Sequence, residues 1–111
     1  YYEDYDLCQR IFARRKAILM VPDVQLVHSS RGSVRGASPW RSEYLRGYHH
    51  ARSKIRFTAK YETLAAAEKL RRRVLALAVL TMPVRLLLPV PRHVARLAGR
   101  IVGLWRLSVQ I

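Results

Sequence analysis

The chain is 111 residues long, half of its residues are hydrophobic, and its formal net charge is +14. The hydrophobic content argues against a disordered polyelectrolyte, and a single cysteine, Cys8, excludes both an intramolecular disulfide and a cysteine-based zinc site. All seven acids lie at or before Glu68, whereas the stretch from Lys69 to Ile111 contains nine Lys or Arg residues. Such a stretch favours a polyanionic partner, either nucleic acid or an anionic membrane.

The first third of the chain contains one predicted helix and two predicted strands. Residues 4–15 are predicted to be helical because apolar side chains such as Leu7 and Ile11 recur at helical spacing. Acids at the start of this segment and arginines toward its end suit a helix dipole. Two apolar extended segments, 17–23 and 24–28, then predict short strands separated by Pro22-Asp23, and the Ser/Gly-rich stretch 29–39 predicts a loop.

The rest of the chain is predicted to be helical. One helix is expected from Trp40 to about Lys60, and a second from about Glu62 to Thr81, ending or kinking near Pro83. A third is expected over 92–107, after a break at Pro89 and Pro91. The apolar run 74–84 is too short to cross a bilayer, which takes roughly 20 apolar residues.

The last predicted helix separates its arginines from its apolar side chains. Arg92, Arg96 and Arg100 share one flank, and apolar residues, including Trp105, lie opposite. This composition is typical of a helix at a membrane interface, so these four residues are predicted to contact a membrane. The alternative is a helix whose apolar side packs on its own domain and leaves the arginines in solvent.

The first part of the chain resembles the family 2 glycosyltransferases, especially bacterial rhamnosyltransferase-like enzymes that build cell-surface polysaccharide. The resemblance covers roughly residues 1–62. The matching elements are the segment YYEDYDLCQR at the start, then Pro22, then His28 before a Ser/Gly loop. The later segment YHHARSKIRFTAK is also similar to a basic segment that often follows in these proteins.

The resemblance implies an α/β fragment. Residues 1–39 would be the C-terminal portion of a GT-A-like, Rossmann-like catalytic domain. Residues 40–60 would be a basic helical segment, and residues 61–111 a mostly helical amphipathic tail associated with the membrane. Because the chain begins with Tyr1 rather than Met, we expect it to be part of a longer protein.

The resemblance also implies roles for the acids and the histidine of the first segment. Asp4 would be the general base of an inverting sugar transfer, and Glu3 would orient or tune the site. His28 would be a ligand of the Mg²⁺ or Mn²⁺ that neutralises the diphosphate of the donor.

Basic residues are the candidate anion ligands. Arg31 and Arg35 could hold the donor diphosphate or an acceptor phosphate. Arg52 and Lys54 could face an acceptor phosphate or lipid headgroups. For each of these groups, a solvated basic surface is the alternative.

Two departures from the family pattern limit these expectations. The helix after the acidic pair ends in ARRKA, where family members usually have a glycine that caps the helix. Nothing in the chain matches the donor-binding half of these enzymes, with its nucleotide-binding start and its Asp-x-Asp metal motif. We therefore expect the chain to be inactive by itself. The resemblance implies a nucleotide-sugar donor, a lipid-linked or polysaccharide acceptor, and a location at the cytoplasmic face of a bacterial membrane.

Two non-catalytic functions compete with this interpretation. A small basic protein could bind nucleic acid or an anionic membrane without catalysis, as the net charge suggests. Nucleic acid is disfavoured by the early acidic cluster, by the apolar run 74–84, and by the absence of a zinc-finger or RNA-binding signature. The chain could also be a structural membrane-surface protein.

Overall fold

The computed structural model describes residues 1–27, 38–88 and 90–108. These residues form four helices, which are α1 (Glu3–Ala13), α2 (Pro39–Tyr61), α3 (Leu64–Leu87) and α4 (Pro91–Trp105). α2, α3 and α4 pack against one another and enclose the core. α1 contacts α2 through its first turns.

The predicted α/β fold is wrong, because the described residues form no strand. Residues 16–21 and 24–27 form neither helix nor strand, and side chains such as Leu19 and Met20 are 80% and 89% exposed. The strand prediction rested on the apolar composition of these segments. A strand also requires a partner for its backbone N–H and C=O groups, and no described residue provides one. The GT-A-like architecture implied by the resemblance is therefore replaced by a small helical fold.

α1 ends in a Schellman motif that places an arginine in the left-handed conformation. Arg15 has a φ of 53°, and its N–H donates to the carbonyl of Phe12. The N–H of Lys16 donates to the carbonyl of Ile11, which completes the motif. The glycine expected from the family pattern is thus absent, but the turn that it would serve is present.

The other helices begin with recognisable signals. α2 and α4 have Pro39 and Pro91 in their first positions, where proline costs no intrahelical hydrogen bond. α3 is capped by Thr63, whose Oγ1 accepts from the N–H of Ala66 at 3.0 Å. The expected end at about Thr81 is wrong, since α3 contains Pro83 and continues to Leu87.

The core is small and consists mainly of alanine and leucine. Its centre is formed by Ile55 of α2 and Leu104 of α4, which are 1% and 0% exposed. The buried residues packed around them are Ala51, Ala59, Ala67 and Leu107. The burial of Leu104 and Leu97 shows that the apolar side of α4 packs inside the protein.

Glycines allow α2 and α4 to approach closely. A Cβ on Gly99 would lie 2.0 Å from the carbonyl oxygen of Tyr44, and one on Gly47 would lie 1.9 Å from that of Arg96. A Cβ on Gly103 would meet the carbonyl oxygen of Tyr48 at 2.8 Å. The two backbones are therefore in contact, and this contact fixes how the side chains on the two helices meet.

Candidate functional site

The three acids at the start of α1 have different surroundings. Glu3 is exposed and forms no ion pair with a described Lys or Arg side chain. Asp6 accepts hydrogen bonds from Lys60 and from the hydroxyl of Tyr61, the latter at 2.8 Å, and these bonds lower the pKa of Asp6. Asp4 is exposed and has no hydrogen bond or ion pair with any described side chain. Asp4 is thus accessible to another molecule, whereas Asp6 is held by α2.

Aromatic contacts hold the start of α1 against α2. The ring of Tyr2 lies 5.4 Å from that of Phe57 and 5.6 Å from that of His50, measured between centroids. The ring of Tyr1 also lies 5.6 Å from that of His50. The acidic turn is therefore placed beside the basic segment of α2, two parts of the chain that the sequence separates by about 45 residues.

The expected metal and diphosphate ligands His28, Arg31 and Arg35 lie outside the described residues. Within the described ranges, no group of three or more His, Cys, Asp or Glu side chains is placed to hold a metal ion. The described residues alone therefore do not fit a Mg²⁺ or Mn²⁺ site. The metal stays a prediction that depends on His28 and on ligands beyond these residues.

A cavity of about 460 Å³ opens between α2, α3 and α4. Four basic side chains lie at this cavity, which we call the basic groove: His50 and Lys54 of α2, Arg85 of α3 and Arg100 of α4. Its apolar lining is formed by Ala51, Ile55, Val74, Leu77, Ala78 and Leu97. No described Asp or Glu lines it.

A smaller cavity of about 220 Å³ continues the basic groove toward the start of α4. The two share Arg85, Leu97 and Arg100, and the smaller one adds His93 and Arg96. Arg85 Nη1 lies 3.3 Å from His93 Nδ1. Cationic groups from two helices therefore converge along one continuous depression.

The cations of the basic groove affect the pKa of His50. Burial and the neighbouring cations, with Arg100 and Lys54 foremost among them, lower the pKa of this imidazole. A neutral His50 can take up a proton when an anion arrives and then donate a hydrogen bond to it.

Arg52 and Lys54, which the sequence grouped together, are separated by the structure. Arg52 donates from Nη1 to the carbonyl of Gly103 at 3.4 Å, and its guanidinium lies 5.1 Å from the centroid of the Tyr48 ring. Through these contacts Arg52 joins α2 to the end of α4. Lys54 lines the basic groove and forms no ion pair with a described acid.

The residues of α4 that were predicted to contact a membrane also differ from one another. Arg96 donates from Nε to Oε2 of Glu43 at 2.6 Å, and Glu43 is only 6% exposed. Arg100 faces the basic groove, Arg92 is exposed, and Trp105 is 76% exposed. Membrane contact by these four residues stays a prediction. The buried side of α4 leaves Trp105 as its most exposed large apolar residue.

A second apolar surface lies where α3 ends and α4 begins. We call it the hairpin tip and define it by the exposed residues Val84, Leu86, Leu87, Leu88 and Val90. Their exposed fractions run from 40% at Val90 to 86% at Leu87. Among the described residues, no helix is long and apolar enough to span a membrane.

Sequence reasoning missed two members of the basic groove. The sequence places His50 in the basic segment YHHARSKIRFTAK but does not reveal that Arg85 and Arg100, which come from other helices, lie at the same cavity. Arg85 carried a usable signal, since it is the one charged residue in the otherwise apolar stretch 74–91. A charge at such a position usually has a specific role, but the sequence could not place it opposite Lys54 and Arg100.

Comparisons with known proteins identify no relative. No protein-family model matches the chain, and neither the curated proteins nor the solved structures include a significant match.

Proposed function

We propose that this chain is the acceptor-side part of an inverting glycosyltransferase, with Asp4 as its general base. The proposal rests first on the resemblance of residues 1–62 to family 2 glycosyltransferases. The observation that carries it is the exposed carboxylate of Asp4, which has no partner among the described side chains, beside Asp6, whose carboxylate accepts from Lys60 and Tyr61. A carboxylate that is already held by a cation or a hydroxyl is a weaker base than one that is free to meet a substrate.

The proposed reaction is a single displacement. The acceptor hydroxyl attacks the anomeric carbon of the nucleotide sugar while Asp4 takes the hydroxyl proton. The bond from the anomeric carbon to the diphosphate oxygen breaks, and the nucleoside diphosphate leaves with the bonding electrons. Attack from the side opposite the leaving group inverts the anomeric configuration.

The donor would be held by polypeptide beyond these 111 residues. Apart from Asp4-Tyr5-Asp6, which belongs to the acidic turn itself, the chain contains no Asp-x-Asp triplet, and it contains no nucleotide-binding pattern. The DNA immediately upstream is expected to encode, in frame, a nucleotide-binding segment with an Asp-x-Asp motif. A stop codon close upstream would contradict the proposal.

The acceptor is proposed to be lipid-linked and the reaction to occur at the cytoplasmic face of a bacterial membrane. Support comes from the exposed apolar side chains of the hairpin tip, including Leu87 and Leu88, and from the absence of any acid after Glu68. An apolar surface in a cationic region suits an anionic bilayer. It does not suit nucleic acid, whose phosphates bind cations but whose surface offers little to exposed leucines.

The experiment is sugar transfer by the complete enzyme, which contains this chain and its donor-binding segment. A nucleotide sugar and a prenyl-diphosphate-linked acceptor are supplied, and NMR of the product gives the anomeric configuration. An inverted product supports the proposal. A retained configuration, or no product with any nucleotide sugar, contradicts it.

Membrane binding without catalysis is the second candidate function, and the exposed hairpin tip favours it over nucleic-acid binding. It would be supported by a complete protein that binds anionic vesicles, makes no glycosidic bond and retains no affinity for duplex DNA. Vesicle binding together with sugar transfer supports the enzyme.

A further inference from the structure

The walls of the basic groove combine two kinds of surface. Its apolar side is formed by side chains from all three helices of the core, such as Ile55, Leu77 and Leu97. Its polar side carries Lys54, Arg85 and the other two basic groups. A volume of about 460 Å³ lies in the range of pockets that hold small ligands.

The cations of the basic groove have no acidic partners within the described part of the chain. Lys54 and Arg100 form no ion pair with a described acid, and Arg85 contacts only the ring of His93. By contrast, Arg96 nearby is held by Glu43, and Arg71 is held by Glu68. Three helices thus bring cations together at a place where no carboxylate neutralises them, although the chain has such pairs elsewhere.

We infer that the basic groove binds a single-chain phosphorylated amphiphile, with the phosphate between Lys54, Arg85 and Arg100 and the chain against Leu77 and Leu97. A phosphate monoester carries nearly two negative charges and accepts several charge-assisted hydrogen bonds. Its binding would offset the mutual repulsion of these cations. The apolar side would be covered by the chain, which removes exposed leucine and valine surface from water.

The basic groove calls for both parts of this ligand, the phosphate for its cations and the chain for its apolar lining. A free phosphate would use the cations but leave Leu77, which is 52% exposed, and its neighbours in contact with water. An uncharged chain would cover the leucines but leave the cations unpaired. One chain is proposed because a cavity of about 460 Å³ lies toward the lower end of the range of ligand pockets. The single-chain phosphate uses both surfaces.

This inference goes beyond the proposed sugar transfer and does not depend on it. No step of it uses Asp4, a donor sugar or a metal. The site would exist equally in an enzyme and in a membrane-binding protein without catalysis.

The test is calorimetric titration of the full 111-residue chain with decanoyl lysophosphatidate, kept below its critical micelle concentration. Inorganic phosphate and decanoyl lysophosphatidylcholine are titrated in parallel. The inference predicts saturable binding of the lysophosphatidate. It also predicts roughly tenfold or greater weakening for each parallel ligand, since one lacks the chain and the other has no net charge.

Two double variants with the same change in net charge localise the site. Lys54→Gln with Arg100→Gln removes two groove cations, and Lys69→Gln with Arg73→Gln removes two exposed cations of α3 that do not line the cavity. The first pair is expected to weaken lysophosphatidate binding by at least about tenfold, and the second by less than about twofold. Circular dichroism verifies that both variants remain helical. If the groove variant unfolds, the single Leu77→Gln variant replaces it. Leu77 is an exposed lining residue, and its substitution is expected to weaken the binding of lysophosphatidate but not the binding of inorganic phosphate.

The pKa of the His50 imidazole, measured by proton NMR, distinguishes binding in the basic groove from binding by overall net charge. The groups facing His50 are Lys54 and Arg46 of α2, Arg100 of α4, the rings of Tyr1 and Tyr2 and, in the 111-residue chain, the α-amino group of Tyr1. A phosphate bound among these cations raises the pKa of His50, and the other histidines are expected to shift less.

Three results would overturn the inference. The first is equal affinity for lysophosphatidate and inorganic phosphate, which would mean that the apolar wall is unused. The second is equal weakening by both double variants, which would mean binding by overall charge. The third is saturable binding that leaves the pKa of His50 unchanged, which would place the ligand elsewhere.

Discussion

The backbone of Gly99 lies directly against the carbonyl oxygen of Tyr44, where a Cβ would approach that oxygen to 2.0 Å. Because the neighbouring atom is backbone, it cannot rotate away as a side chain could. This contact sets the spacing of α2 and α4, and the spacing in turn brings Arg100 of α4 to the basic groove beside Lys54.

Gly99→Ala is therefore expected to destabilise the fold although alanine favours helices. Overpacking a closed contact costs about 1–3 kcal/mol or more, against about 1 kcal/mol gained in helix propensity. Gly103→Ala, whose Cβ would meet the Tyr48 carbonyl at 2.8 Å, is the matched control with a smaller cost. Urea denaturation measures both, and a Gly99→Ala protein as stable as the parent would contradict the close packing of these helices.

Arg15→Gly is expected to stabilise the protein, in the opposite direction from most substitutions. Arg15 has a φ of 53° in the Schellman motif that ends α1, a conformation that costs a non-glycine residue about 1 kcal/mol. Part of that gain is offset by the larger backbone entropy of glycine in the unfolded chain. The net gain is about 0.5 kcal/mol in the free energy of unfolding, measured by thermal and urea denaturation. Gln9→Gly, in the middle of α1, is the control and is expected to destabilise.

The ion pairs of Glu68 predict a defined loss of stability in acid. Hydrogen bonds from Arg71 and Arg72 lower the carboxyl pKa of Glu68 from 4.5 to about 2. Because the folded-state pKa lies below the unfolded one, this stabilisation is complete above about pH 4.5 and disappears as the pH falls toward 2. In urea denaturation, Glu68→Gln should be less stable than the parent at pH 6, and the difference should shrink steadily below pH 4.5. A constant difference across this range would show that the carboxylate is not responsible.

The sequence predicted the helices better than the fold. Periodic apolar residues and prolines gave all four helices with approximate ends, because helix formation depends on residues that are close in the chain. The expected end at about Thr81 was wrong, because a proline inside a helix removes one backbone hydrogen bond and need not end the helix, and α3 continues to Leu87. The two strand predictions were wrong because apolar composition cannot reveal whether a segment has a strand to pair with.

The candidate site was predictable only where its residues are local. Asp4 was predicted as the general base from the ten-residue segment YYEDYDLCQR. The basic groove was not predictable, because Lys54, Arg85 and Arg100 come from three helices and meet only when α2 and α4 pack through glycine. Membrane contact by α4 was predicted from its amphipathicity, which cannot distinguish an apolar side that meets a membrane from one that packs inside the protein, as Leu97 and Leu104 do.

The hairpin tip should control attachment to anionic bilayers. Leu87→Ser combined with Leu88→Ser replaces two exposed leucines, and is expected to weaken binding to phosphatidylglycerol vesicles by about tenfold or more. Phe12→Ser on α1, which removes a side chain that is 79% exposed, is the control and should leave binding unchanged. Vesicle sedimentation at constant ionic strength measures all three proteins. Equal loss in both variants would mean that exposed apolar surface in general, rather than the hairpin tip, causes attachment.

The central claim is that Asp4 removes the acceptor proton. The direct measurement is the turnover number of the complete enzyme with Asp4→Asn, compared with Asp23→Asn, which makes the same chemical change at an exposed residue outside the site. Loss of a general base is expected to lower turnover about 10²–10⁴-fold, with donor binding and helical content retained, while Asp23→Asn should match the parent. Undiminished sugar transfer by Asp4→Asn would contradict the account.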